Sequence, residues 1–294
     1  RLTVQIVFTA LTNGYFLVFA KGKIYQGDSK QLCVPGLNCY SCPGAIGSCP
    51  IGSLQAVLGS RNFKFSFYII GFLMMVGAFV GRFVCGWLCP FGLVQDLLYK
   101  IPFIKKIKKV PLDKPLRYLK YVILVVFVII MPLTLTNFAG EGNPWFCKLI
   151  CPSGTLLGGV PLVSMNSSLR KIIGPLFTWK MFILVSVVIL SIKIYRPFCK
   201  YLCPLGAIYG LFNKYSLYKY EIDEDKCTKC GLCERKCDMN VAVYKTPNSA
   251  ECIRCGKCIK VCPRGAIKTT FTKTKEAACN SKCSGCKSNC ASKN

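Results

Sequence analysis

The sequence contains no histidine and has few acidic residues. Its 294 residues include 12 Asp and Glu against 39 Lys and Arg, which gives a formal net charge of +27. The absence of histidine excludes a bis-histidine haem, a Rieske centre and a histidine-ligated zinc ion in this chain. The basic excess is typical of lysines at the cytoplasmic face of a membrane, which we favour over nucleic-acid binding as its cause.

Cysteine, in contrast, is abundant, with 22 residues in the chain. Disulfide scaffolds of that density are usually small secreted domains that lack a core, whereas this chain is 52% hydrophobic. The cysteines also recur at short, regular spacings. Both observations favour thiolate-bound metal over disulfides or inert buried thiols.

One motif, Cys-Pro-x-Gly, occurs four times, and in the last three copies a second cysteine lies four residues earlier. The copies begin at Cys49, Cys89, Cys151 and Cys203, and the earlier cysteines are Cys85, Cys147 and Cys199. Proline suits the first turn of a helix, so short helices are predicted over 90–100, 152–160 and 204–213.

Four apolar stretches are predicted to span a bilayer, which takes about 20 helical residues. They cover 2–20, 65–83, 118–137 and 180–194. The lysine-rich loop between the second and third spans is predicted to be cytoplasmic. Both termini and the region from 219 onward are then cytoplasmic, whereas 21–64 and 138–179 face outward.

This order of spans and motifs reveals an internal repeat. Residues 1–100 and 118–213 each contain a span, an outer Cys-Pro-x-Gly, a second span and an inner Cys-Pro-x-Gly. Two such halves are expected to pack about a pseudo-two-fold axis along the membrane normal. The predicted fold class is therefore an α-helical membrane domain over 1–213, a C-terminal α+β ferredoxin domain over 219–270 and a Cys-rich tail over 271–294.

The repeat predicts which cysteines share a cluster on the inner side. Two come from each half, which makes the four that a four-iron cluster needs: Cys85, Cys89, Cys199 and Cys203. Arg82 and Arg196 lie three residues before these pairs. They either extend to the membrane interface or face the anionic cluster, raise its potential and donate hydrogen bonds to sulfur.

The outer side offers more cysteines than one cluster needs. The internal repeat predicts that Cys49, Cys147 and Cys151 ligate a second, outer cluster. Cys42 is the predicted fourth ligand and Cys39 is the alternative. Cys33 and Cys39 are left to form a disulfide or to serve as alternative ligands. The bilayer core is about 30 Å thick, a long distance for electron transfer unless the two membrane clusters lie well inside it or a partner cofactor bridges them.

The C-terminal third contains two cysteine runs of the bacterial two-cluster ferredoxin type, in which the fourth cysteine of each run ligates the other cluster. The predicted sets are Cys227, Cys230, Cys233 and Cys262, and Cys252, Cys255, Cys258 and Cys237. Asp238 replaces the usual proline after the first run. The basic residues around the runs are a solvated face or a docking site for an acidic carrier: Lys226, Lys229, Arg235, Lys236, Arg254, Lys257, Lys260, Arg264 and Lys268.

Four further cysteines lie in the tail: Cys279, Cys283, Cys286 and Cys290. Their close spacing predicts a fifth four-iron cluster. A zinc ion, a partner site and unligated thiols are the alternatives.

Paired Cys-x3-Cys-Pro motifs after membrane helices, followed by a two-cluster ferredoxin region, resemble the membrane polyferredoxin family. That family includes the quinol-dehydrogenase membrane subunit of periplasmic nitrate reductase and the membrane regulator of nitrous-oxide reductase. The resemblance covers about residues 30–265. It implies a carrier of four-iron clusters in a prokaryotic inner membrane, together with a separate flavin- or haem-bearing partner outside.

We therefore expect a multi-pass electron-transfer subunit of a larger membrane complex, with no substrate-converting site of its own. Electrons would come from a cytoplasmic low-potential carrier such as a ferredoxin or flavodoxin and leave to an extracytoplasmic acceptor. Two alternatives remain open, a quinol dehydrogenase subunit and a redox assembly factor for another metalloenzyme.

Overall fold

The computed structural model describes residues 1–15, 24–60, 67–102, 106–108, 110–135 and 142–272, and they are mostly helical. In the first half, helices cover Leu2–Thr12, Pro50–Leu58, Phe67–Val80, Phe83–Trp87 and Pro90–Tyr99. In the second half and the short segment that leads into it, helices cover Asp113–Thr134, Trp145–Leu149, 152–165, Ser167–Lys171, Pro175–Lys193, Pro197–Tyr201 and Pro204–Phe212. The predicted tail cluster lies outside the described residues.

Two of the described helices are long and apolar enough to cross a membrane. Asp113–Thr134 has 22 residues and Pro175–Lys193 has 19, with mean hydropathies of 2.1 and 2.0. Only 28% and 17% of their apolar windows are buried, so most of these side chains face outward, as expected for helices in lipid. They correspond to the predicted third and fourth spans.

The predicted first and second spans form shorter apolar helices, Leu2–Thr12 and Phe67–Val80. Parts of both predicted ranges lie outside the described residues. The second helix ends earlier than predicted because Gly81 has a left-handed backbone, with φ of 52°. A new helix, Phe83–Trp87, begins two residues later. Four membrane crossings therefore remain a prediction.

Each Cys-Pro-x-Gly motif starts a helix, as the sequence predicts. Cys49, Cys89, Cys151 and Cys203 all have extended backbones at the N-cap, and the following proline occupies the first helical turn. Proline disfavours helical geometry in the residue before it and is itself suited to the start of a helix. The motif therefore places a thiol at the junction between a loop and a helix in all four copies.

The C-terminal region has the α+β composition of a small ferredoxin. Strands Tyr220–Ile222 and Ile267–Thr269 pair antiparallel, with Tyr220 opposite Thr269. Between them lie two short helices, Leu232–Arg235 and Lys257–Val261. Each helix begins after a left-handed glycine, Gly231 or Gly256. The two strands bring the ends of the domain together, so that the first cysteine run lies beside the end of the second.

Candidate iron–sulfur sites

The four predicted inner cysteines meet in one buried site, which we call the inner set. Cys85, Cys89, Cys199 and Cys203 are each 5 to 6% exposed. Burial raises the pKa of the Cys203 thiol, and the neighbouring thiolates of Cys199, Cys85 and Cys89 add to that rise. Two short helices from the two halves, Phe83–Trp87 and Pro197–Tyr201, carry the first cysteine of each pair.

Two fully buried arginines connect the halves around the inner set. Arg82 Nη2 donates to the Cys199 carbonyl at 2.9 Å, and Arg196 Nη1 donates to the Cys85 carbonyl. Burial raises the pKa of the Cys85 thiol, and the charge and hydrogen bond of Arg82 oppose that rise. The arginines thus face the cysteines rather than the membrane interface, and their hydrogen bonds to the Cys199 and Cys85 carbonyls fix the backbone that carries these thiols.

Each arginine also has an acidic partner. Arg82 Nη1 lies 2.9 Å from Glu251 in the ferredoxin domain, and Arg196 Nε lies 2.7 Å from Asp96. Glu251 is in turn paired with buried Lys120. Buried charges are tolerated when they are paired and hydrogen-bonded in this way.

The outer thiols surround a cavity of about 390 Å³. Its lining includes Cys39, Cys49, Cys147 and Cys151, which we call the outer set. Burial raises the pKa of the Cys49 thiol to about 12, and the nearby Cys147 and Cys39 thiolates add to that rise. The geometry therefore brings the alternative fourth residue, Cys39, to this site.

Cys42 lines a second cavity together with Thr9 and Asn13, and its backbone N–H donates to the Cys39 carbonyl at 3.0 Å. Cys33 and Cys39 are both free thiols rather than a disulfide pair. Cys33 Sγ lies 3.9 Å from Ser48 Oγ and 3.8 Å from Ser53 Oγ. Cys39, in contrast, lines the outer cavity beside Cys49, Cys147 and Cys151.

Two buried glutamines that are not among the predicted site residues contact the inner and outer sets. Gln55 Nε2 lies 3.4 Å from Cys147 Sγ, and Gln95 Nε2 lies 3.1 Å from Cys199 Sγ. Both are six residues after the cysteine of a first-half Cys-Pro-x-Gly motif. That shared spacing was the signal that could have revealed them.

The inner and outer sets lie close together, which matches the alternative in which both sit well inside the bilayer. Leu37 lines the outer cavity, and its backbone forms a hydrogen bond with Cys89 of the inner set. Tyr209 donates to the Pro35 carbonyl at 3.1 Å. Burial raises the pKa of Tyr209, and thiolates of both sets, Cys85 and Cys49 among them, add to that rise. The loop from Cys33 to Cys49 folds inward and is the reason for this proximity.

The ferredoxin domain brings together both predicted sets. Cys227, Cys230, Cys233 and Cys262 line one small cavity, which we call the distal set. Cys237, Cys252, Cys255 and Cys258 form the proximal set. Burial raises the pKa of Cys258 to about 12, with contributions from the thiolates of Cys252, Cys255 and Cys237. Each set thus combines three thiols of one run with the fourth thiol of the other.

The proximal set packs against the membrane domain beside the inner set. Asn213 Nδ2 donates to the Cys252 carbonyl at 2.8 Å, and Trp87 Nε1 donates to the Arg254 carbonyl at 3.0 Å. A side chain at Gly86 would clash with the Ile253 carbonyl. Arg254, predicted on the basic surface, is 1% exposed because it bonds to carbonyls of this interface. The cavity of the distal set is lined by residues of the ferredoxin domain, and the set includes exposed Cys230.

The donor chemistry of the four sets fits four-iron clusters. Each set offers four thiols, the usual ligand count for such a cluster. Within the described ranges, no three Cys, Asp or Glu side chains converge closely enough for a single metal ion. The outer thiols instead surround an open volume.

Comparison with known proteins agrees with this chemistry. Residues 65–111, 119–164 and 176–219 match one family described as a 4Fe-4S binding domain, and 220–242 and 246–268 match a second family with the same description. These matches include both ferredoxin runs and the cysteine pairs of the membrane domain, but not Cys39 or Cys49.

Relatives extend over most of the chain. MJ0749 of Methanocaldococcus jannaschii is 33% identical over 209 residues, which is 68% of this chain and 70% of the relative. MJ0750 of the same organism is 29% identical over 209 residues, covering 68% and 76%. YccM of Escherichia coli K12, whose name proposes electron transport, is 28% identical over 233 residues, covering 77% and 60%. No solved structure matches the chain.

Proposed function

Because the chain belongs to the membrane polyferredoxin family of 4Fe-4S electron-transfer proteins, we propose that it is the transmembrane electron-transfer subunit of a larger oxidoreductase complex. It would connect a low-potential carrier in the cytoplasm with an acceptor outside the inner membrane. Both termini would be cytoplasmic, as the lysine-rich loop indicates.

The observation that carries this proposal is the order of the four cysteine sets. The distal set lies at the surface, the proximal set packs against the membrane domain, and the inner and outer sets follow it. A bound four-iron cluster supplies reversible one-electron transfer. The residues of this chain would position four such clusters, with Cys39 rather than Cys42 in the outer set.

The two ends of this series suit different partners. Exposed Lys229, Arg235 and Lys236 lie beside the distal set and are complementary to an acidic soluble carrier. The outer cavity is lined by Tyr40, Asn143 and Lys148, which would contact a flavin- or haem-bearing subunit.

A second candidate, a quinol dehydrogenase subunit, is favoured by one cavity. It measures about 270 Å³ and is lined by Gln5, Tyr99, Tyr195 and Cys255 of the proximal set. Gln5 is fully buried, and neither atom of its amide has a hydrogen-bond partner within the described part of the chain. Such a site offers polar groups for a quinol head at the end of an apolar helix.

Anaerobic stopped-flow mixing separates the two candidates. The oxidised protein is mixed with a reduced ferredoxin or with a soluble quinol, and bleaching of the clusters is followed. Fast bleaching by ferredoxin that is lost in Cys227→Ser supports the proposal. Bleaching by quinol alone, lost in Gln5→Leu and retained in Cys227→Ser, would replace it with the second candidate.

A further inference from the structure

The two glutamines beside the membrane sets have matching environments. Gln55 Oε1 accepts from the Phe146 backbone N–H at 3.0 Å, and Gln95 Oε1 accepts from the Phe198 N–H at 3.2 Å. Each Nε2 also donates to the carbonyl four residues earlier in its own helix, Ile51 or Phe91. The two side chains thus make the same three kinds of contact in two different sites.

These contacts fix which amide atom faces the sulfur. A backbone N–H can only donate, so the amide oxygen must point to Phe146 or Phe198. The NH₂ group is then left for the carbonyl and the thiolate. Gln55 is 0% exposed and Gln95 is 1% exposed, so water does not compete for either bond.

Each glutamine acts across the repeat. It belongs to a helix of the first half, whereas the sulfur that it contacts, on Cys147 or Cys199, belongs to the second half. The equivalent positions after the second-half motifs are Leu157 and Tyr209, which carry no amide. Each membrane set therefore has one glutamine at this repeat position.

We propose that Gln55 and Gln95 are positioning residues that raise the reduction potentials of the outer and inner clusters, respectively, through an N–H···S hydrogen bond. This inference rests on the proposed function, because it requires a cluster in each set. Reduction adds a negative charge to the cluster, so a donor bonded to a cysteine sulfur stabilises the reduced form more than the oxidised form.

The test is an anaerobic redox titration of the full-length protein, followed by electron paramagnetic resonance. The variants are Gln95→Leu and Gln55→Leu, and each serves as the control for the other. Proteins with Cys89→Ser or Cys49→Ser identify which signal belongs to the inner cluster and which to the outer cluster. Iron and sulfide analysis of every variant establishes that the remaining clusters are present.

We expect each leucine variant to lower the potential of its own cluster only. The fall corresponds to a change of about tenfold in the ratio of reduced to oxidised cluster at a fixed potential, or about 59 mV for a one-electron couple. Unchanged potentials, an upward shift, or an equal shift of both clusters in one variant would overturn the inference.

A second pair of variants covers the case in which leucine prevents assembly. Gln95→Glu and Gln55→Glu keep the side-chain length and an oxygen that can accept the phenylalanine N–H, and their potentials should also fall. Loss of only the adjacent cluster from both the leucine and the glutamate protein would assign the glutamine to assembly and overturn a role in tuning. A native protein without the inner and outer clusters would instead contradict the proposed function.

Discussion

The inner and outer cysteine sets are built from the same repeated motif but have different surroundings. In each set, two of the cysteines come from a second-half Cys-x3-Cys pair, and one glutamine N–H contacts a sulfur of that pair. The inner set is enclosed by Arg82, Arg196 and the docked ferredoxin domain. The outer set opens onto a cavity of about 390 Å³ with Lys148 and Lys180 in its lining.

This difference in surroundings indicates that the two sets, although built from the same repeated motif, suit different roles. A buried site flanked by two paired arginines and the ferredoxin domain suits a relay between two neighbouring clusters. A site that opens to a cavity suits exchange with a partner. The motif supplies the thiols in both cases, and the residues around it determine what each site can contact.

The largest expected effect concerns the ligands of the outer set. Cys39→Ala should remove one cluster and about four iron atoms per protein, because Cys39 lines the outer cavity. Cys42→Ala should retain full iron, because Cys42 lines a different cavity. Iron and sulfide analysis of the anaerobically purified proteins makes the comparison. Iron loss in Cys42→Ala with retention in Cys39→Ala would reverse our assignment.

The next effect concerns the buried charges that distinguish the inner set. Arg82→Leu should cost about 3–5 kcal/mol of stability, because it removes one partner of a buried ion pair and its bonds to two carbonyls. Lys148→Leu at the outer cavity should cost less than about 1 kcal/mol, as for a partly exposed charge. Denaturation in detergent, followed through cluster absorbance, measures both. Equal losses of stability in the two variants would show that buried charge does not distinguish the inner set from the outer set.

A smaller effect is expected at the contact between the ferredoxin and membrane domains. Gly86→Val should cost about 1–3 kcal/mol through overpacking against the Ile253 carbonyl, and it should slow electron delivery to the inner cluster. Gly71→Val is the matched control, because no atom lies within 4 Å of a side chain added there. Stopped-flow reduction of the inner cluster compares the two. Equal rates would argue against delivery through this contact.

The smallest effect concerns the exposed basic residues near the distal set. Lys229→Glu combined with Lys236→Glu should slow reduction by an acidic ferredoxin about tenfold at low ionic strength. The difference should vanish near 1 M salt, where the Debye length is about 3 Å. Lys214→Glu, an exposed change in the membrane domain, should have little effect. A salt-independent loss would indicate a structural defect instead of impaired docking.

The parts of the site that the sequence predicted are those fixed by regular spacing. The two ferredoxin sets follow from the spacing within each run, and the inner set follows from a repeat that leaves only four cysteines on that side. Helix starts after each Cys-Pro were predictable because proline constrains both itself and the residue before it.

The parts that could not be predicted depend on how an irregular loop folds. The segment containing Cys33, Cys39 and Cys42 has no helical or strand period, so its sequence does not determine which thiol enters the outer cavity. The same fold of this loop places Leu37 between the two membrane sets. Likewise, the partners of Arg82 and Arg254 come from distant segments that no local pattern connects.

The most direct test of the central claim is electron transfer across a sealed membrane. The purified protein is reconstituted anaerobically in liposomes that enclose a membrane-impermeant redox dye, and reduced ferredoxin is added outside. Native protein should reduce the enclosed dye, whereas Cys85→Ser protein, which lacks one ligand of the inner set, should not. An unreduced dye in vesicles whose native protein contains all its iron and sulfide would contradict a conduit complete within this chain.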